Sequence, residues 1–141
     1  MRLELTRRTD YALRALLFLA RHAGRQSTPV IAAAMNIPIG FLPQVMGDLS
    51  RAGLVHSTAG RQGGYELVGA AAAIDLLSIV EAVEGDTRRR TCILRGGTCR
   101  TDGMCDAHEP FRAAQDAFRA TLAGASLANL GARSAGLDTG S

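Results

Sequence analysis

All three cysteines of the 141-residue chain lie in one stretch, as Cys92, Cys99 and Cys105. The spacing is C-x6-C-x5-C, and His108 follows the last of them at C-x2-H. A free cysteine is usually a small buried hydrophobe, but Thr91, Gly96, Gly97, Arg100, Asp102 and Gly103 around these three offer little apolar surface to join. An odd number cannot pair off into disulfides within one chain, and disulfides are rare in cytoplasmic proteins. Thiolate ligation of a metal centre is the chemistry these residues best support. Structural zinc favours four cysteines, or three and a histidine, usually with a tight C-x2-C pair. No such pair occurs here, although Cys105 and His108 are close enough to form one end of a site. Iron–sulfur clusters are wider, and spacings of five or six residues can wrap them. Arg88, Arg89, Arg90, Arg95 and Arg100 would offset the charge of a thiolate-bound cluster and favour deprotonated thiols. A cluster therefore fits the loop better than zinc does; zinc, bare thiols and a simple solvated basic loop stay open.

A second group of residues suits a polyanion. Gly60, Arg61, Gly63 and Gly64 form a Gly-rich tip, GRQGG, where an arginine could enter a narrow minor groove and glycines would let the backbone approach a duplex. Further back, PIGFLPQ opens a helix whose amino end would present Gly40, Phe41, Pro43, Gln44 and Asp48. Gln44 is the only good base-edge reader among them, suited to a bidentate contact with adenine. Arg7, Arg8 and Arg51 are generic phosphate candidates, and each could equally be a solvated surface residue.

The elements that must position these groups follow from periodicity. Leu5 to His22 reads as a helix, with Leu13, Leu16, Ala20 and Ala23 recurring at three or four residues, Leu5, Ala12 and Leu19 on or beside the same face, and Gly24 as its stop. Thr28 as N-cap with Pro29 behind it starts a second helix. Asn36, Pro38 and Gly40 break it, and a third helix carries Leu42, Val45, Met46, Leu49 and Ala52 on one face before Gly53. LVHST and YELV, joined by the Gly-rich tip, read as a β-hairpin. Asp75 caps LLSIVEAVE, which Gly85 ends. Residues 86–108 show no period. Pro110 opens a last long helix with Phe111, Ala114, Phe118 and Leu122 in one stripe, and one further turn is expected over 126–130.

This order, helix, helix, turn, helix and hairpin, predicts a mainly α fold with a small β-hairpin wing, a winged helix-turn-helix followed by a long C-terminal helix. The third helix would enter a major groove and the wing an adjacent minor groove. The expected organisation is a DNA-binding domain over 1–85, a cysteine loop over 86–108, a long helix over 109–130 and a disordered tail over 131–141.

Composition agrees with a folded, charged chain: 47% hydrophobic and 21% charged residues, with a formal net charge of +3. The charge is uneven. Residues 1–70 carry eight arginines against four acids, residues 71–141 eight against nine, and there is no lysine. A basic first half points to a polyanionic partner. No apolar run reaches the roughly 18 residues of a membrane span, and the amino terminus lacks the apolar core of a secretion signal, so a cytoplasmic location is expected. Nucleophile elbow, phosphate loop and catalytically spaced carboxylate pair are all lacking, and His22 and His56 read as structural. An enzyme is not expected.

The sequence resembles the bacterial iron–sulfur winged-helix repressors, the family of NsrR, IscR and RirA. The residues that carry the resemblance are MRL at the start, TDYALRAL from Thr9, LSRAGLV from Leu49, GRQGGYEL from Gly60 and the three-cysteine loop, spanning residues 1 to about 130. The resemblance implies a homodimer joined through the last long helix, with Phe111, Ala114, Phe118 and Leu122 in the seam; burial in the chain's own core would explain the same stripe. It also implies that Cys92, Cys99 and Cys105 ligate an iron–sulfur cluster. The fourth ligand would be Asp10 from the other subunit, as in the nitric-oxide-sensing branch, or His108, as in the cluster-assembly branch. TDYALRAL favours the first branch and a 4Fe–4S cluster; C-x2-H keeps the second branch, with 2Fe–2S, in view. The implied activity is control of a double-stranded DNA operator by nitric oxide, oxidant or iron status. PIGFLPQ lacks the hydroxyl or charged residues many relatives carry at that position, so no operator sequence transfers.

Overall fold

The computed structural model describes residues 6–88 and 106–133, the last three without their side chains. The first helix, α1 (Arg7–Arg21), is capped by Thr6, whose hydroxyl accepts from the Thr9 amide at 3.3 Å. It buries Ala12, Leu16 and Leu19 of the expected face together with Ala15, Leu17 and Phe18. Leu13 is half-buried and Ala20 and Ala23 are exposed, because several elements pack around α1 and its buried face is wider than one stripe. α2 (Thr28–Met35) starts one residue before its expected first turn. Ser27, not Thr28, is the N-cap, accepting from the Val30 amide at 3.4 Å. Asn36, with φ 53° and ψ 48°, ends α2 in a left-handed conformation that asparagine tolerates better than most residues.

After a tight turn in which the Phe41 amide bonds the Pro38 carbonyl at 3.0 Å, α3 (Leu42–Arg51) follows. Leu42, Val45, Met46 and Leu49 are buried, leaving Pro43 and Gln44 outward. β1 (Val55–Thr58) and β2 (Gly64–Leu67) pair antiparallel, Val55 opposite Leu67 and Thr58 opposite Gly64. The wing's base is also tied to the strand-like segment before α2: Gln26 and Tyr65 exchange two backbone hydrogen bonds of 2.9 Å. The fold is thus mainly helical with a two-stranded wing, as the order of elements predicts.

A single 3-10 turn at Ala71–Ala73 leads into α4 (Leu76–Glu84), capped by Asp75, which accepts from the Ser78 amide at 2.8 Å. α5 (His108–Ala123) begins two residues before Pro110. None of its residues is buried: Phe111, Ala114 and Phe118 are exposed and Leu122 is half-buried. The chain's own core therefore does not account for this stripe.

The expected further turn is a separate helix, α6 (Leu127–Arg133). Gly124 caps α5 and the chain then doubles back, because Leu76 donates to Ala125 and Leu127 to Ile74 at 2.9 and 2.8 Å. α6 packs on α1, and Leu127 is fully buried. Residues 131–133, read from the sequence as the start of a disordered tail, are helical; the rest of that tail lies outside the described residues. Because Leu127 belongs to the main core, Leu127→Ala is expected to cost about 2–5 kcal/mol, measured by urea denaturation. A loss of only a few tenths of a kcal/mol would place α6 outside the cooperative unit.

Candidate nucleic-acid interface and the root of the cysteine loop

The candidate DNA contacts gather on the surface formed by α3, the start of α1 and the wing. Phe41, the N-cap residue of α3, is 54% exposed, with its ring tilted against Tyr11 at a centroid distance of 6.0 Å. Gln44 is exposed one turn into α3, and Arg7, Arg8, Arg51, Gly60 and Arg61 are exposed as well.

Two of the arginines are not independent. Arg8 of α1 and Arg51 of α3 both form ion pairs with Asp48, each through a guanidinium nitrogen to a different carboxylate oxygen. The Asp48 side chain is only 12% exposed between them. Asp48, expected at the helix's reading end, is therefore engaged from both sides within the chain. It holds two cations on the α3 surface and ties the start of α1 to the recognition helix. The Asp48–Arg51 pair at i, i+3 was available to sequence reasoning. The Arg8–Asp48 pair spans 40 residues and carries no local signal.

The glycines at the wing tip have reasons inside the chain. A Cβ on Gly63 would lie 2.2 Å from the Thr58 carbonyl oxygen and 2.8 Å from that of Gly60, and one on Gly64 would lie 2.4 Å from the Gln26 carbonyl oxygen. Gly60 adopts a φ of 100°, in the range that favours glycine. Hairpin closure and the bridge to Gln26 therefore require these residues whether or not a duplex approaches. Arg61 is left exposed at the tip they create.

Cys92, Cys99 and Cys105 lie outside the described residues. Both flanks of their loop are described. On the amino side, Glu81 of α4 accepts from the Thr87 amide at 3.3 Å and the Thr87 hydroxyl at 2.8 Å. Arg119 of α5 forms an ion pair with Glu81 and also donates to the Thr87 hydroxyl. The Gln115 side-chain amide donates to the Thr87 carbonyl oxygen at 3.2 Å. On the carboxyl side, half-buried His108 is the first residue of α5. Both roots thus meet one helix, Gln115 standing two turns, or about 10 Å, beyond His108.

The other fourth-ligand candidate, Asp10, sits in α1 with its side chain 40% exposed. Arg14 engages both its oxygens, Nε at 3.0 Å to one and a terminal nitrogen at 2.9 Å to the other. Arg14 also reaches the Met35 carbonyl at 3.4 Å. Among the described residues, no group of three His, Cys, Asp or Glu side chains is disposed to hold a metal ion. Sequence reasoning also missed a clasp between α1 and α4. Glu84 accepts from the Thr6 hydroxyl and, at 2.9 Å, from the hydroxyl of buried Thr9. These partners lie 75 or more residues apart.

A helix-turn-helix with an arginine-tipped wing and a cationic outer surface defines a DNA-binding regulator. Residues 5–133 match the Rrf2 family, described as iron-dependent transcriptional regulators, and the chain belongs to that family. It is 32% identical over 130 residues to protein aau3 of Rhizobium meliloti, covering 91% of this chain and 84% of that one. It is 30% identical over 131 residues to the regulator NsrR of Geobacillus kaustophilus, covering 91% and 89%. Its fold matches CymR, the global cysteine regulator of B. subtilis, with a TM-score of 0.76 at 27% identity, over 94% of this chain and 98% of that one. The chain is accordingly a DNA-binding transcriptional regulator and not an enzyme. Among the described residues no helix is long and apolar enough to cross a membrane.

The loop root makes a pH-dependent contribution to stability. The Thr87 hydroxyl, followed by Arg119, holds the Glu81 carboxyl below its ordinary 4.5, although burial pushes the other way. A carboxylate whose pKa is depressed in the folded state stabilises it above the unfolded value, and that contribution is lost as pH falls through the folded one. Glu81→Gln should therefore cost about 1 kcal/mol at neutral pH, and the difference from the parent protein should begin to shrink as pH falls below 4.5 and close as it passes through the lower folded-state value. Urea midpoints measured across pH check this; a pH-independent gap would contradict it.

Proposed function

We propose that the protein is a homodimeric cytoplasmic repressor whose operator affinity is set by an iron–sulfur cluster. Cys92, Cys99 and Cys105 would hold the cluster, 4Fe–4S in the favoured case, with Asp10 of the other subunit or His108 as fourth ligand. The observation that carries this reading is the closure of the three-cysteine loop on α5, through Gln115 and Arg119 at Thr87 and through the covalent start of α5 at His108. Such a loop can present three thiolates to one centre at a reduced entropic cost, because both its ends are anchored on one helix. The donor set fits: soft thiolates beside a run of arginines, with an oxygen or imidazole donor available. The exposed stripe of Phe111, Ala114 and Phe118 supports the homodimer, since a second copy would remove it from water.

When bound, the cluster would supply an iron centre open to nitric oxide or oxidant. The chain's own residues would carry the consequence to DNA. Thr87 and Glu81 link the loop to α4; Glu84, at the end of α4, holds Thr6 and Thr9 of α1; Arg8 of α1 holds Asp48 of α3. An ordered loop fixes this series of contacts, and a relaxed loop frees it. The protein then redistributes between two arrangements with different operator affinity. Asp10 would act as ligand only by sharing its oxygens with Arg14 or by releasing it. At the operator, Gln44 and Phe41 would face the major groove and Arg61 the minor groove, with Arg7, Arg8 and Arg51 at phosphates and Gly60 and Gly63 shaping the tip.

The likeness to CymR favours a second reading, in which the same scaffold senses through bare or zinc-bound thiols. Non-denaturing mass spectrometry of anaerobically purified protein separates the two. The expected result is a dimer carrying one 4Fe–4S mass per subunit, with Cys99→Ala a dimer lacking it. A 2Fe–2S mass would move the fourth ligand to His108. Zinc or bare thiols would end the cluster mechanism and establish the second reading.

A further inference from the structure

Ile39 and Phe41 are the two most exposed large hydrophobic residues among those described, at 56% and 54%. They stand two positions apart in the turn that leads into α3, while Ile37 before that turn and Leu42 after it are buried. The turn is held by the hydrogen bond from the Phe41 amide to Pro38, and the Phe41 ring by its contact with Tyr11. Two apolar side chains therefore stand outward at a helix end, and among the described residues nothing covers them.

The rest of this face of α3 is nearly bare. Pro43 and Gln44 are exposed and Gly47 follows one turn later. Glycine within a helix is unfavourable relative to alanine, because it surrenders more backbone freedom on folding. Internal packing gives no reason for it, because a Cβ there would meet only the Arg51 guanidinium, at an ordinary 3.6 Å. A partner that approaches the helix closely would supply the reason. Arg8 and Arg51, 45% and 74% exposed, stand on the same surface, so the complementary partner is a polyanion. It must also offer apolar groups to Ile39 and Phe41.

The major groove of duplex DNA satisfies both conditions in one way. Its base-pair edges carry hydrogen-bonding groups throughout, and the thymine 5-methyl is their only apolar group. We propose that Ile39 and Phe41 read thymine methyl groups, making the amino end of α3 a thymine-recognition surface. Gln44 beside them suits adenine, so the preferred half-site contains A·T pairs at this end. The proposal rests on α3 being the recognition helix and adds the chemistry that it reads.

The test uses the full-length, anaerobically purified protein and a duplex selected from a random library. Each thymine of the selected site is replaced by deoxyuridine, which removes one methyl group and keeps the pairing. Binding should weaken roughly fourfold for each contacted methyl, at one or two positions per half-site. Phe41→Ala and Ile39→Ala proteins should lose that discrimination and bind the thymine and uracil duplexes alike. Equal binding of both duplexes by the unmodified protein, with sequence preference intact, would overturn the thymine reading alone. Failure to select any preferred duplex would overturn it together with the recognition-helix reading. If Phe41→Ala lowered the oligomeric mass and left duplex affinity unchanged, a second copy of the chain would cover this face, and the proposal would fall.

Discussion

The buried face of α1 is built from small residues in its first half and large ones in its second, and this choice sets the distances across the molecule. Ala12 and Ala15 are fully buried beside Leu16 and Leu19. With only a methyl group at two positions, the helix leaves room for α2, α3, α4, α6 and β2 all to pack on it. Interiors packed this closely do not deform smoothly. A displacement of α4 or α6 must therefore be taken up by α1, and through α1 by the recognition helix. Burial of an ordinary leucine contributes about 1.5–3 kcal/mol, so these contacts hold far more firmly than any single surface ion pair.

Polar clasps add direction to that hub. Glu84 fastens the end of α4 to the first turn of α1, and Asp48 fastens the same turn to α3 through Arg8. Glu81, one helical turn before Glu84, fastens α4 to Thr87 and to Arg119 of α5. The last turn of α4 thus faces the cysteine loop with one carboxylate and the DNA-binding unit with another. Exposed ion pairs contribute little to stability. Their value here is geometric, in fixing which residues face each other where the helices meet.

How much of this could be read from the sequence depended on how local each cause is. The α3 stripe up to Leu49, the Asp75 cap and the two strands of the wing are local patterns and stand where their residues indicate. The α1 stripe does so only in part, since Ala20 is exposed and Phe18 buried, and Ala52 at the end of the α3 face is exposed. Leu127 was hidden because a seven-residue helix repeats its pattern too few times to show which face is buried. Gly63 and Gly64 were legible as a turn, but their real constraint, crowding against Thr58, Gly60 and Gln26, is partly non-local. The pairings of Arg8 with Asp48 and of Glu84 with Thr6 and Thr9 join segments far apart in sequence, and no periodicity reveals them. Phe41 was legible as an outward residue at the amino end of α3, whereas the exposure of Ile39 carries no local signal and is seen only in the fold.

The central claim is that the occupant of the cysteine loop governs how α3 meets DNA. It is tested most directly by fluorescence anisotropy on a single anaerobic preparation, with a selected duplex titrated before and after a chelator strips the bound metal. A marked loss of affinity on stripping is expected, at unchanged helical content and dimer mass, with recovery when iron and sulfide are restored. Equal affinity in the two states would contradict it, leaving a DNA-binding protein whose cysteines serve some other end.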